Sequence, residues 1–259
     1  MYLNFLIYRP LKKIPETDAI FDNLKEVHNE KNHDNILRIS IDTKDRVKIG
    51  QFSRGGKSRV LVTAADHDFG DEYLTPFGIL DVTNDKVDLS FTKSKVTADF
   101  MVDAIKAYLI RNNYHVTKDT ITINADNGPE NNSRRTQFIK RIIYPSAKYD
   151  LKIILAYYPP YHSKYNPIER VWGILEQHWN GAILDETSTV LAYAKTMKWK
   201  AAEPYVNFIK KKYMIDKKVS KKVMKIYETM IERAELIGKW FVTLTPSKCK
   251  KAVLLENKP

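Results

Sequence analysis

The stretch Thr120-Ile121-Thr122-Ile123-Asn124-Ala125-Asp126-Asn127-Gly128-Pro129-Glu130-Asn131 decides how the rest of the chain reads. Ile121 and Ile123 alternate with Thr122 and Asn124, the period of two that marks a strand. Asp126 falls on the side of Thr122 and Asn124, at the strand's end. Asn127-Gly128 is a common hairpin turn, and in a hairpin Asp126 would merely brace the bend. Pro129 and the polar run to Asn132 lead instead toward a helix, with Ser133 as its cap and Phe138, Ile139, Ile142 and Ile143 on a buried face that runs to about Tyr144. A carboxylate at the C-terminal end of a strand that feeds a helix is a frequent position for ligand chemistry in sheets with helical crossovers.

Working outward, a second alternating run begins at Asn35: Leu37, Ile39 and Ile41 point one way and Arg38, Ser40 and Asp42 the other. Further strands are predicted around Val47 and Ile49, at residues 60–62, at 78–82 and at 152–157. Helices are predicted at residues 97–111, with Thr97 as the cap, and from Pro167 to about Trp179. Strands, helix, strand, helix, strand, helix is the order of an α/β chain with a mixed sheet covered by helices. Residues 1–34 read as a tether and a short helix (16–31), residues 35–181 as the core domain, and residues 182–259 as a basic helical C-terminal extension. Within that extension residues 185–197 and 219–236 have helical spacing, and the lysine-rich stretch 210–225 sets an apolar stripe beside a basic face.

The 259 residues carry a formal net charge of +12, which favours polyanionic partners through phosphate contacts and counterion release. Charge alone does not separate DNA, RNA and anionic membrane. Cys249 is the one cysteine, so the chain has no internal disulfide and no cysteine-rich zinc site, and a reducing, cytoplasmic compartment is expected. The apolar start meets Arg9-Pro10-Leu11-Lys12-Lys13 too soon for a signal-peptide core, and no uninterrupted apolar run reaches the length of about 18 residues that a membrane span needs.

Asp42 and Asp126 on strands, with Glu169 at the start of a helix, supply three carboxylates. Such oxygens suit a pair of divalent ions beside a phosphodiester. Each has an ordinary alternative. Asp42 fits an exposed strand position. Glu169 fits a capping box, with Asn166 as N-cap and Pro167 at the first helical position. A capping glutamate bends back to Asn166, whereas a ligand points at Asp42 and Asp126; Glu176, two turns on, is the substitute. Residues 51–58 nearly spell a phosphate-binding loop, but Gln51 stands where its first glycine belongs and the following residues read as strand, so a basic hairpin loop is preferred. The acids Asp66, Asp68, Asp71 and Glu72, with His67, lack a frame that would fix ligand geometry. Tyr157, Tyr158, Tyr161 and Tyr165 suit either base stacking or core packing. Arg54, Lys57, Arg59, Arg134, Arg135, Lys164 and Arg170 flank these blocks as candidate DNA-backbone contacts.

The block Tyr157-Tyr158-Pro159-Pro160-Tyr161-His162-Ser163-Lys164-Tyr165-Asn166-Pro167-Ile168-Glu169-Arg170-Val171-Trp172-Gly173 resembles the Asn-Pro-Ile-Glu-x-x-Trp block of bacterial insertion-sequence transposases. Together with residues 126–131, with His178-Trp179-Asn180-Gly181, and with the early blocks 39–44 and 52–59, it is similar to the Rhodopirellula-type transposase family with a DDE catalytic domain, from about Leu11 to about Trp240. The resemblance implies a ribonuclease-H-like fold with Asp42, Asp126 and Glu169 as the acidic triad. It also implies two Mg2+ (or Mn2+) ions, one activating water or a DNA 3'-hydroxyl and the other stabilising the leaving oxygen. Its implied partners are double-stranded DNA, both element ends and target, and a second copy of the chain when assembled on DNA. Relatives carry an N-terminal helix-turn-helix region; with residues 1–34 alone ahead of the first core strand, a truncated copy or an isolated catalytic fragment is expected. The alternatives are a ribonuclease-H-like nuclease without strand transfer and a catalytically inactive DNA-binding remnant.

Overall fold

The computed structural model describes residues 13–29, 34–58, 61, 63–65 and 70–256. Helix α1 (Thr17–Asn29) precedes strand β1 (Ile36–Thr43), the short β2 (Val47–Lys48), and the hairpin of β3 (Tyr73–Asp81) and β4 (Lys86–Thr92). Helix α2 (Ala98–Arg111), the single turn α3 (Tyr114–Thr117), strand β5 (Thr120–Ala125), helix α4 (Thr136–Tyr149) and strand β6 (Lys152–Tyr157) follow. A 3-10 turn (Ser163–Tyr165) leads into α5 (Glu169–His178) and α6 (Thr187–Thr196). The chain continues with β7 (Tyr205–Phe208), α7 (Lys221–Glu228), β8 (Glu232–Arg233), β9 (Phe241–Leu244) and α8 (Pro246–Glu256).

One sheet collects the strands in the order β7-β4-β3-β1-β5-β6-β9-β8, with β2 beside β3. Strand β3 is antiparallel to both β1 and β4, while β5 and β6 run parallel to β1. Three leading strands in a meander, then two parallel strands reached by helical crossovers, make a ribonuclease-H-like sheet. The alternation of β1 decides its two faces. Leu37, Ile39 and Ile41 are fully buried in a core with α1, α2 and α4, and a second core under α5 and α6 holds Leu74, Leu89, Ile168, Val171 and Leu175. Each such side chain contributes roughly 1.5–3 kcal/mol when fully buried. Helices on both faces explain why Ser40, Thr122 and Asn124 are buried as well as their apolar neighbours.

Several expectations need correction. Leu61 is exposed and in no strand, and Val60 and Val62 lie outside the described residues, as do Arg59 and Asp66-His67-Asp68. Ser133 does not cap α4: its hydroxyl donates to the Lys239 carbonyl at 2.7 Å, and Arg135 occupies the cap position. Beyond residue 181 the chain is not helical throughout, because β7 extends one edge of the sheet beside β4 and β9 pairs with β6 at the other. The helix expected at 219–236 stops at Glu228 and gives way to β8. The lysine-rich stretch is a strap before it is a helix. Tyr213 donates its N–H to Ser94 Oγ and its hydroxyl to Asp103, and Lys211 and Lys217 pair with Asp103 and Asp99 on α2. Among the described residues no helix is long and apolar enough to cross a membrane.

Candidate active site

Strand register brings the first two carboxylates together. Ser40 is the parallel partner of Asn124, so Asp42 and Asp126, each two residues further on, emerge side by side from neighbouring strand ends. They share a cleft of about 210 Å³ with Thr43, Met101, Gly128 and Asn131. Asp126 is held from its own loop: Oδ1 accepts from the Gly128 N–H at 3.1 Å and from Asn131 Nδ2 at 3.2 Å. Asn127 takes a left-handed conformation (φ 61°), but no return strand follows, and the loop feeds α4. The Tyr157 hydroxyl closes that loop by donating to the Asn131 carbonyl at 2.6 Å.

Glu169 is the first residue of α5, and no side chain caps that helix. The capping-box alternative fails because the Asn166 side chain is committed elsewhere. Its Oδ1 accepts from the Ser40 hydroxyl at 2.5 Å and its Nδ2 donates to the Ile41 carbonyl at 3.1 Å. The Ile168 N–H donates to Ser40 Oγ at 3.1 Å, so the turn before α5 is clasped to the middle of β1. One turn into α5, Trp172 Nε1 donates to Asp42 Oδ2 at 2.8 Å.

The three carboxylates act on one another electrostatically. Burial, then the Asp126 charge, push the Asp42 carboxyl up to about 7; Glu169 adds to this and the Trp172 hydrogen bond opposes it. The Glu169 carboxyl is likewise raised by burial and by Asp126, with Lys44 pulling the other way. Glu176 differs in kind. It pairs with Lys44 at 2.7 Å and Arg54 at 3.5 Å and accepts from Trp179 Nε1 at 2.8 Å, and these partners hold its carboxyl low.

Carboxylate oxygens beside a cleft suit a hard divalent ion. Two further oxygens fit it: Thr43 Oγ1 and Asn131 Oδ1 are buried without a hydrogen-bond partner. Among the described residues, no group of three or more His, Cys, Asp or Glu side chains stands close enough together to hold a metal ion as placed.

The basic candidates scatter. Arg54 lies against Glu176 and over the Trp179 ring, and Arg135 pairs with Glu130 at 3.2 Å. Lys57, Arg134, Lys164 and Arg170 are exposed, and Lys164 sits over the Tyr165 ring. Of the tyrosines, Tyr157 and Tyr158 are buried, whereas Tyr161 and Tyr165 face outward. Sequence reasoning missed the parts played by Ser40, Asn131, Asn166 and Trp172. Ser40 lies on the polar stripe with Asp42, and Trp172 lies three residues from Glu169; these were the available signals.

A family model described as Rhodopirellula transposase DDE domain matches residues 7–246. No curated protein matches the chain in sequence. Among solved structures the chain is similar to the Mos1 transposase paired-end complex with left transposon end, with a TM-score of 0.49 and 12% identity over 74% of this chain and 57% of that one. It is similar to the Mos1 mariner paired end complex with Mn at a TM-score of 0.48 and 12% identity, covering 74% of this chain and 58% of that one. A chain of the simian T-cell lymphotropic virus intasome in complex with PP2A regulatory subunit B56 gamma gives a TM-score of 0.37 and 13% identity, over 66% of this chain and 52% of that one. The matched chain thus spans less than two thirds of the length of each of these proteins.

Proposed function

The chain belongs to the Rhodopirellula transposase DDE-domain family, and from that premise we propose that it cuts and joins DNA strands of an insertion sequence at a centre built from Asp42, Asp126 and Glu169. The observation that supports this reading is the placement of Asp42 and Asp126 at neighbouring strand ends on one cleft, where burial and then the Asp126 charge, with Glu169 adding, push the Asp42 carboxyl up to about 7. The three side chains would hold a pair of Mg2+ or Mn2+ ions. When bound, such ions supply Lewis-acid polarisation of a phosphoryl oxygen and a nucleophile at neutral pH.

The chain's own residues supply position and charge. Asn131 and the Gly128 N–H orient Asp126, and the clasp between Ser40 and Asn166 sets where Glu169 stands relative to β1. Exposed Lys57, Arg134 and Arg170 would meet the phosphate backbone of double-stranded DNA and fix its register without reading bases. Bringing two element ends together requires two active centres, so a homodimer on DNA is part of the reading.

The test is nicking of supercoiled plasmid by the purified chain with Mg2+ or Mn2+, beside Asp126→Asn and a chelator control. Metal-dependent nicking that disappears in both controls supports the reading. A folded, DNA-bound chain that never nicks would overturn it in favour of an inactive remnant.

A further inference from the structure

Gly78 on β3 is the register partner of Asp42 on β1. A Cβ at Gly78 would come within 2.5 Å of Trp172 Cη2 and 2.7 Å of Cζ2, so bare backbone at this position is what admits the indole from α5. The ring is 4% exposed and sits in the core with Ile168, Val171 and Leu175. From that fixed seat Nε1 reaches Asp42 Oδ2 at 2.8 Å. The indole at the C-cap of α5 makes an instructive contrast. Trp179 donates to Glu176, a carboxylate already neutralised by Lys44 and Arg54. Trp172 donates to a carboxylate that has no ion-pair partner among the described residues.

An aspartate at a strand end has two free side-chain torsions, and a ligand must be held in one orientation before an ion arrives. We propose that Trp172 is a positioning residue: seated in the slot opened by Gly78, its indole N–H fixes the Asp42 carboxylate in the orientation in which it lines the cleft shared with Asp126. This rests on the reading of Asp42 as a metal-holding group. Hydrogen-bond partners of metal-holding side chains are worth about 10–100-fold in metal affinity or activity when removed.

Trp172→Phe keeps most of the ring and removes the donor. In 15N-labelled wild type, which has four tryptophans, the indole resonance missing from Trp172→Phe identifies Trp172. It is expected to move saturably with added Mg2+ and to ignore Mg2+ in Asp42→Asn. Trp172→Phe is expected to stay folded and to bind plasmid normally without metal. Its nicking kcat should fall about 10–100-fold with little change in KM for DNA, and higher Mg2+ should recover part of the rate. Gly78→Ala should reproduce the kinetic defect, with a lower Tm. An indole resonance indifferent to Mg2+, or a Trp172→Phe rate and Mg2+ dependence equal to wild type while Asp126→Asn is inactive, overturns the inference alone. Wild-type behaviour in Asp126→Asn as well overturns the reading of the metal centre and the inference with it.

Discussion

The Ser40 hydroxyl donates to Asn166 Oδ1 at 2.5 Å, joining the middle of β1 to the turn that launches α5. Ser40 Oγ is also the acceptor for the Ile168 N–H, and Asn166 Nδ2 donates to the Ile41 carbonyl. One buried clasp therefore sets the spacing between Asp42, two residues from Ser40, and Glu169, three residues from Asn166. Ser40→Ala strands a buried acceptor and a buried donor, and each such loss costs about 1–3 kcal/mol. Urea denaturation is expected to show a drop of about 2–6 kcal/mol for the pair, and nicking should fall while metal-free DNA binding is retained. A variant as stable and as active as wild type would show that the clasp is dispensable.

Glu169 and Glu176 share one helix but not one set of partners. Glu169→Gln is expected to reduce metal-dependent nicking by at least about 100-fold, on the scale of losing one preorganised electrostatic stabiliser. Glu176→Gln loosens the partly exposed contacts with Lys44 and Arg54, which are worth about 1 kcal/mol or less. It should therefore nick at a near-normal rate. Plasmid assays on both variants decide between them, and the reverse ranking would transfer the third carboxylate to Glu176.

Burial and the Asp126 charge hold the Asp42 carboxyl at about 7 in the folded chain, against about 3.9 in an unfolded one. Between those values the folded state binds a proton that the unfolded state has released, so stability falls as pH rises through this window. Metal-free protein is expected to lose on the order of 1–3 kcal/mol from about pH 4 to about pH 8 through this group, and Glu169 adds to the loss in the same direction. In Asp42→Asn the loss should be smaller, and saturating Mg2+ should reduce it in wild type. Thermal melts across that range, with chelator or with Mg2+, measure it as the difference between wild type and Asp42→Asn; a metal-free difference that stays constant over the window would contradict the account.

The central strands were legible because their signal is local. Leu37, Ile39 and Ile41 announce β1, Ile121 and Ile123 announce β5, and Thr97 caps α2 by accepting from the Phe100 N–H. The edges were not. β7 and β9 are four residues each, and their partners β4 and β6 lie far away in sequence, so no periodicity marks them. Asn before Pro at a helix start has the local look of a cap, so Asn166 offered the capping box as an alternative for Glu169, whereas its actual partner, Ser40, lies on β1, far away in sequence. The strap at Lys211 and Lys217 has no local signature for the same reason: the acids that hold it, Asp103 and Asp99, belong to α2. Local residue types carried the three carboxylates into view, whereas the ion pairs of Glu176 with Lys44 and Arg54 are long-range contacts that no local pattern carries.

Binding of Mn2+ to the DNA-free protein, followed by the paramagnetic resonance of the unbound ion, tests the triad without requiring element ends or turnover. The account predicts saturable binding in wild type, weakened in each of Asp42→Asn, Asp126→Asn and Glu169→Gln and unchanged in Glu176→Gln. Wild-type binding in all three triad variants, or none in a folded wild type, would contradict it.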